Sequence, residues 1–122
     1  MIGLFTRSAL TLAVLLSLGT AAFAQGIEGA YGLQGIGSDK VTYAGRVEVT
    51  KSGAGFQVKW LYADGSTTFG AGLLEGDTLS VGTVEDKRSV INLMKRQPDG
   101  NFKGQWYQRG EAALGEETWL KQ

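Results

Sequence analysis

The sequence predicts an all-β fold. A single antiparallel meander of about eight strands closes into a small calycin-like barrel, with a two-sheet β-sandwich as the alternative arrangement. Three observations carry this. Beyond Gln25, apolar residues recur with period two, and no 3.6-residue stripe of useful length competes. The alternating runs are cut at short intervals by turn signals, which favours pairing between consecutive strands. And 19 of the 122 residues are glycine, more than twice the usual share of about 7 %, with several inside the runs beside aromatic residues.

Residues 1–24 read as a helical signal peptide. Arg7 precedes an apolar stretch from Ala9 to Leu18, and Ala22-Phe23-Ala24 supplies the small-x-small pattern of a cleavage site. The stretch is roughly half the ~20 residues a membrane-spanning helix needs. Without a cysteine after the cut, lipid attachment there is excluded. The expected domain is residues 25–122, exported to the periplasm or the extracellular space. It is of the size at which small domains fold alone. No disulfide can staple it, because the chain has no cysteine.

Ile27 to Leu33 is the first expected strand, followed by the irregular "GLQGIGSDK". Val41, Tyr43, Gly45, Val47 and Val49 then alternate with polar partners up to "KSGAG". Phe56, Val58, Trp60 and Tyr62 form the next face, ended by the Asp64-Gly65 hairpin signal. Phe69, Ala71 and Leu73 follow, and after "EGD" come Leu79, Val81 and Thr83. Ser89 to Lys95 is apolar on both sides, Val90 and Met94 against Ile91 and Leu93, which predicts a strand covered on both faces. "QPDGN" is the strongest turn, since it holds the lone proline ahead of Asp99-Gly100. Phe102, Gly104 and Trp106 face inward next, and Thr118, Trp119 and Leu120 mark the last strand.

Glycine weakens a strand, so its recurrence in "YAGRV", "FGAGL" and "FKGQW" calls for a reason. Closing a small barrel requires sharply coiled strands, and a bare position permits the bend while a neighbouring aromatic ring covers it. Gly45, Gly70, Gly72 and Gly104 are the positions expected to work this way.

Charge and chemistry narrow the function. Twelve basic and twelve acidic residues balance, which gives no electrostatic case for nucleic acid. With no histidine and no cysteine, Ser-His and Cys-His nucleophile pairs and the usual zinc sites are absent. Glu85-Asp86 and Glu116-Glu117 are adjacent pairs whose members point to opposite faces of a strand, so they read as solvated charge. "GLQGIG" lacks a following helix to present to a phosphate. The reading is therefore non-enzymatic, with no cofactor and no metal. Binding falls to the aromatics: Tyr43, Trp60 and Trp106 on the inner face, with Tyr62 and Tyr107 near strand ends as rim contacts.

The ordered stretches "YAGRVEV", "GFQVKW", "FGAGL", "GDTLSVG", "PDGNFKGQW" and "LGEETW" resemble a group of small exported bacterial proteins labelled fibronectin-binding, of the alphaproteobacterial type. The resemblance runs from about Val41 to Trp119 and departs at "RSVINLM", Arg88 to Met94. It implies a glycine- and tryptophan-rich β-barrel domain, and it brings no defined binding residues.

Two functions of different class follow. The first is an exported binding module, adhesive toward a protein partner such as host matrix protein, with a peptide strand added to an exposed edge or rim. The alternative is a carrier of a small apolar ligand inside the barrel; a structural envelope protein or inhibitor comes third. Neither main reading involves nucleic acid or a membrane span in the mature chain. They part on geometry. An open cavity of a few hundred Å³ walled by Tyr43, Trp60 and Trp106 favours the carrier, whereas a filled interior beside an unpaired edge favours the module.

Overall fold

The computed structural model describes residues 26–122; the expected signal peptide, residues 1–24, lies outside them. Eight strands run in chain order: β1 (Gly29–Ile36), β2 (Thr42–Ser52), β3 (Gly55–Tyr62), β4 (Thr67–Glu75), β5 (Thr78–Glu85), β6 (Arg88–Arg96), β7 (Phe102–Gln108) and β8 (Gly115–Lys121). Each pairs antiparallel with its sequence neighbours, and β1 pairs with β8 to close the barrel. The meander expected from short turns is thus realised, and the sandwich is not. Because closure pairs every strand on both sides, the described residues offer no full-length open sheet edge for an added peptide strand; only the upper ends of β4 and β5 lack pairing with each other.

Alternation sets the interior. On β3, Phe56, Val58 and Trp60 are buried while Gln57 is exposed; on β8, Gly115, Glu117 and Trp119 are buried while Glu116 is exposed. β1 starts two residues after the expected Ile27 and continues to Ile36. Ile27 itself is 1 % exposed and lies just ahead of the first strand, where its carbonyl accepts the Tyr31 hydroxyl at 2.6 Å. Tyr31, Phe102 and Trp119 pack together with centroid separations of 5.6 to 6.0 Å. With Leu79, Val81, Met94, Val49 and Val58 they fill the lower half of the barrel.

β6 corrects one expectation. Val90 and Met94 face inward, but Ile91 and Leu93 are each 54 % exposed rather than covered. A barrel made from one closed sheet has a single interior, so nothing among the described residues packs on its outer wall.

The strand glycines work at two kinds of place. At Gly45 and Gly104 a Cβ would run into the carbonyl oxygens of Leu61 and Leu93 on the adjacent strands, so close backbone approach excludes a side chain. At Gly35 and Gly115 a Cβ would enter the rings of Tyr43 and Trp106, their direct cross-strand partners. Ring over bare backbone is thus present, with Gly35 and Gly115 as the clearest cases; a Cβ at Gly70 would come within 3.1 Å of Trp60 Cζ3.

Candidate functional site

The upper half of the barrel is not filled. A cavity of about 420 Å³ opens among the β1–β2, β5–β6 and β7–β8 connections, and Tyr43, Trp60, Tyr62 and Trp106 wall it. These four come from β2, β3 and β7, each at an inward position of its strand. Tyr43 and Tyr62 meet edge to face at 6.0 Å. Trp60 is 2 % exposed and reaches down to Trp119 at 6.2 Å, which joins the cup to the packed floor. Tyr107 does not join them. It falls between the inward Trp106 and Gln108, so it projects outward, 42 % exposed, and its hydroxyl accepts the Gly110 N–H at 3.1 Å.

The polar centre of the cup is Glu117, which overturns its reading as solvated charge. Its side of β8 is the side of Trp119 and Gly115, and it is 5 % exposed. Oε1 accepts the indole N–H of Trp60 at 3.1 Å and of Trp119 at 2.9 Å, while Oε2 accepts the Tyr43 hydroxyl at 2.6 Å. Trp106 in turn donates its indole N–H to Tyr43 Oη at 2.9 Å. Burial pushes the Glu117 carboxyl above its ordinary range; the Tyr43, Trp119 and Trp60 donors pull it back without cancelling the burial, and the charge of Glu85 adds to the rise. Tyr43 and Tyr62 are held well above the ordinary phenol range, first by burial and then by Glu117 and Glu85 respectively, so both remain neutral donors.

Glu85, at the end of β5, is a second carboxylate on the wall. Its Oε1 accepts the hydroxyls of Tyr62 at 3.1 Å and Thr68 at 3.0 Å. Beside it the β4–β5 ladder stops at Ala71–Gly82, and above that the Thr83 hydroxyl donates to the Phe69 carbonyl at 2.6 Å. A side chain thus takes over where the backbone ladder ends, and the mouth widens there. Gln108 holds the opposite side by donating from Nε2 to the Glu85 carbonyl at 3.0 Å.

Asn92 lines the same cavity, one strand from Trp106 in direct register. It is 2 % exposed, and its carboxamide makes no hydrogen bond among the described residues. Among the described residues no buried side-chain polar atom is shut away without a partner, so the Asn92 amide opens onto the cavity.

No protein-family model and no curated protein matches this chain. A solved structure described as "De novo design of a fluorescence-activating beta barrel" is similar in fold. Its TM-score is 0.54 at 14 % sequence identity, with 78 % of this chain and 93 % of that chain covered. At that identity the likeness concerns the architecture.

Proposed function

We propose that this protein binds a small molecule in the upper half of its barrel and performs no chemistry on it, as a calycin-like carrier does. The observation that carries this is the cup of about 420 Å³ walled by Tyr43, Trp60, Tyr62 and Trp106 above a solidly packed floor. That volume falls in the range of roughly 300–1,000 Å³ usual for small-molecule sites. An eight-stranded barrel has room for one such ligand when part of its lumen is left unfilled. The walls are held in place before any ligand arrives, because Glu117 ties Tyr43, Trp60 and Trp119 together, and this limits the ordering that binding must supply. A designed barrel of similar fold is described as fluorescence-activating. Export to the periplasm or beyond, as residues 1–24 suggest, suits a carrier.

The test is titration with an environment-sensitive fluorophore and a small-molecule library, read by tryptophan emission. Saturable quenching that Trp106→Leu abolishes and the outer-wall variant Ile91→Thr leaves unchanged supports the reading. Absence of saturable binding across the library overturns it.

A second reading, an adhesive module for a protein partner such as host matrix protein, draws on a different observation. Phe69, Leu73, Val84, Ile91 and Leu93 expose apolar surface on the adjoining strands β4, β5 and β6. Recognition there would use side chains on the outer wall and not an added strand. Capture of a partner from serum or periplasmic extract that Leu93→Asp abolishes supports it.

A further inference from the structure

We propose that the ligand of the cup is an organic cation, a quaternary ammonium or protonated amine, selected by charge as well as by apolar fit. The inference rests on the small-molecule reading and specifies its ligand. Three independent features of the cavity converge on it.

The first is the wall. Tyr43, Tyr62, Trp60 and Trp106 come from three strands onto one cavity. Aromatic rings attract a cation placed over their faces, tryptophan most strongly, and more so when water is excluded. Tyr43 donates its hydroxyl to a carboxylate, which pushes electron density back toward its ring.

The second is the charge. Asp39, Glu85, Asp86, Glu111 and Glu117 border the cavity, against one cation, Arg88. Arg88 is already engaged, donating to Glu111 at 3.3 Å and to the Arg109 carbonyl at 3.1 Å. Glu117 takes its hydrogen bonds from neutral groups alone, as does Glu85, and neither forms an ion pair among the described residues. Buried carboxylates are ordinarily paired with a cation; Glu85 is half-buried and Glu117 buried, so with Glu117 ionised the two leave an unbalanced negative field inside a walled space. No group of three or more such residues among those described is arranged to hold a metal ion, which directs the field toward a larger, softer cation.

The third is Asn92. Its side chain lines the same space, and its carboxamide makes no hydrogen bond among the described residues and opens onto the cavity. Its oxygen suits the N–H of a protonated amine or the hydroxyl of an amino alcohol.

A matched pair of probes tests this on the purified protein: choline and its neutral isostere 3,3-dimethylbutan-1-ol, with phenyltrimethylammonium and tert-butylbenzene as a larger pair. Binding is followed by calorimetry and by tryptophan emission. Each cation should bind at least about tenfold more tightly than its isostere, and raising the salt concentration should weaken the cations alone. Glu85→Gln should reduce cation affinity by about tenfold; the salt dependence gives the same information without a variant. Equal affinity for cation and isostere overturns the charge inference and leaves the small-molecule reading standing. Failure of all four probes overturns the organic-cation inference, and the library titration then decides the small-molecule reading separately.

Discussion

Tyr43 reaches Glu117 by lying across Gly35. The three are direct cross-strand neighbours, with Gly35 of β1 opposite Tyr43 on one side and opposite Glu117 on the other. The hydroxyl crosses β1 to donate to Glu117 Oε2 at 2.6 Å, between residues 74 positions apart in sequence. Only a bare position between them leaves room for the ring. A methyl at Gly35 would occupy the space of the Tyr43 ring. Gly35→Ala is therefore expected to cost about 1–3 kcal/mol in urea unfolding, as overpacking does, and to detach Tyr43 from Glu117. Gly82→Ala is the control: nothing lies within 4 Å of a Cβ there, so its stability should stay within about 0.5 kcal/mol of the unaltered protein. Equal effects from the two substitutions would remove the packing argument.

Glu117 should separate shape from charge. In Glu117→Gln the amide oxygen still accepts both indole N–H groups, and the amide nitrogen donates to Tyr43 Oη, whose proton then turns away. Both indole N–H groups keep their acceptor and only the Tyr43 proton has to turn to the open cavity, so the variant should fold with native near-ultraviolet dichroism. Glu117→Ala leaves the indole N–H groups of Trp60 and Trp119 and the Tyr43 hydroxyl without their acceptor. Each orphaned buried donor costs roughly 1–3 kcal/mol, and with the cavity the loss should reach about 3–5 kcal/mol. Chemical denaturation of both variants measures the difference. An alanine variant as stable as the glutamine variant would show that the network contributes little.

The raised pKa of Glu117 makes stability depend on pH in a stated direction. Below the ordinary value of 4.5 both folded and unfolded chains hold the proton, and its contribution to folding is complete. As pH rises from there to the higher folded value, the unfolded chain releases a proton that the folded chain retains. Stability falls through that window and levels off once folded Glu117 ionises too. Other carboxylates titrate in the same region, so the difference between the unaltered protein and Glu117→Gln isolates this group. Urea midpoints from pH 4 to 8 should show that difference shrinking as pH rises; parallel curves would show an unshifted carboxyl.

The strands and their inward faces were legible in the sequence because a closed sheet obeys strict alternation. Phe56, Val58 and Trp60 share one side, and their polar neighbours take the other. The same arithmetic would have found the polar lining. Counting by twos from Trp119 reaches Glu117, from Met94 reaches Asn92, from Trp106 reaches Gln108, and from Val81 reaches Glu85. Residue type argued the other way, since glutamate beside glutamate resembles solvated charge. Tyr107 failed for the complementary reason: an aromatic near a strand end looked like a rim contact, while its parity put it outside. Closure was legible only indirectly, from the strand count, the short turns and the glycines inside strands; the register by which β1 meets β8 across most of the chain was not.

The outer wall of β6 offers the sharpest test of a single interior. Ile91 and Leu93 are as apolar as their neighbours Val90 and Met94, yet the first two are each 54 % exposed and the second two 4 % and 0 %. If nothing covers the outer wall, Ile91→Thr and Leu93→Thr should each shift unfolding free energy by no more than about 0.5 kcal/mol, since threonine suits a strand and no cavity forms. Met94→Ala, by contrast, opens a void in the packed floor and should cost about 2–5 kcal/mol. Urea unfolding at low protein concentration makes the comparison. Losses above about 1 kcal/mol at Ile91 or Leu93 would mean that this face is buried in solution. A loss that also depends on protein concentration would identify a second molecule as the cover.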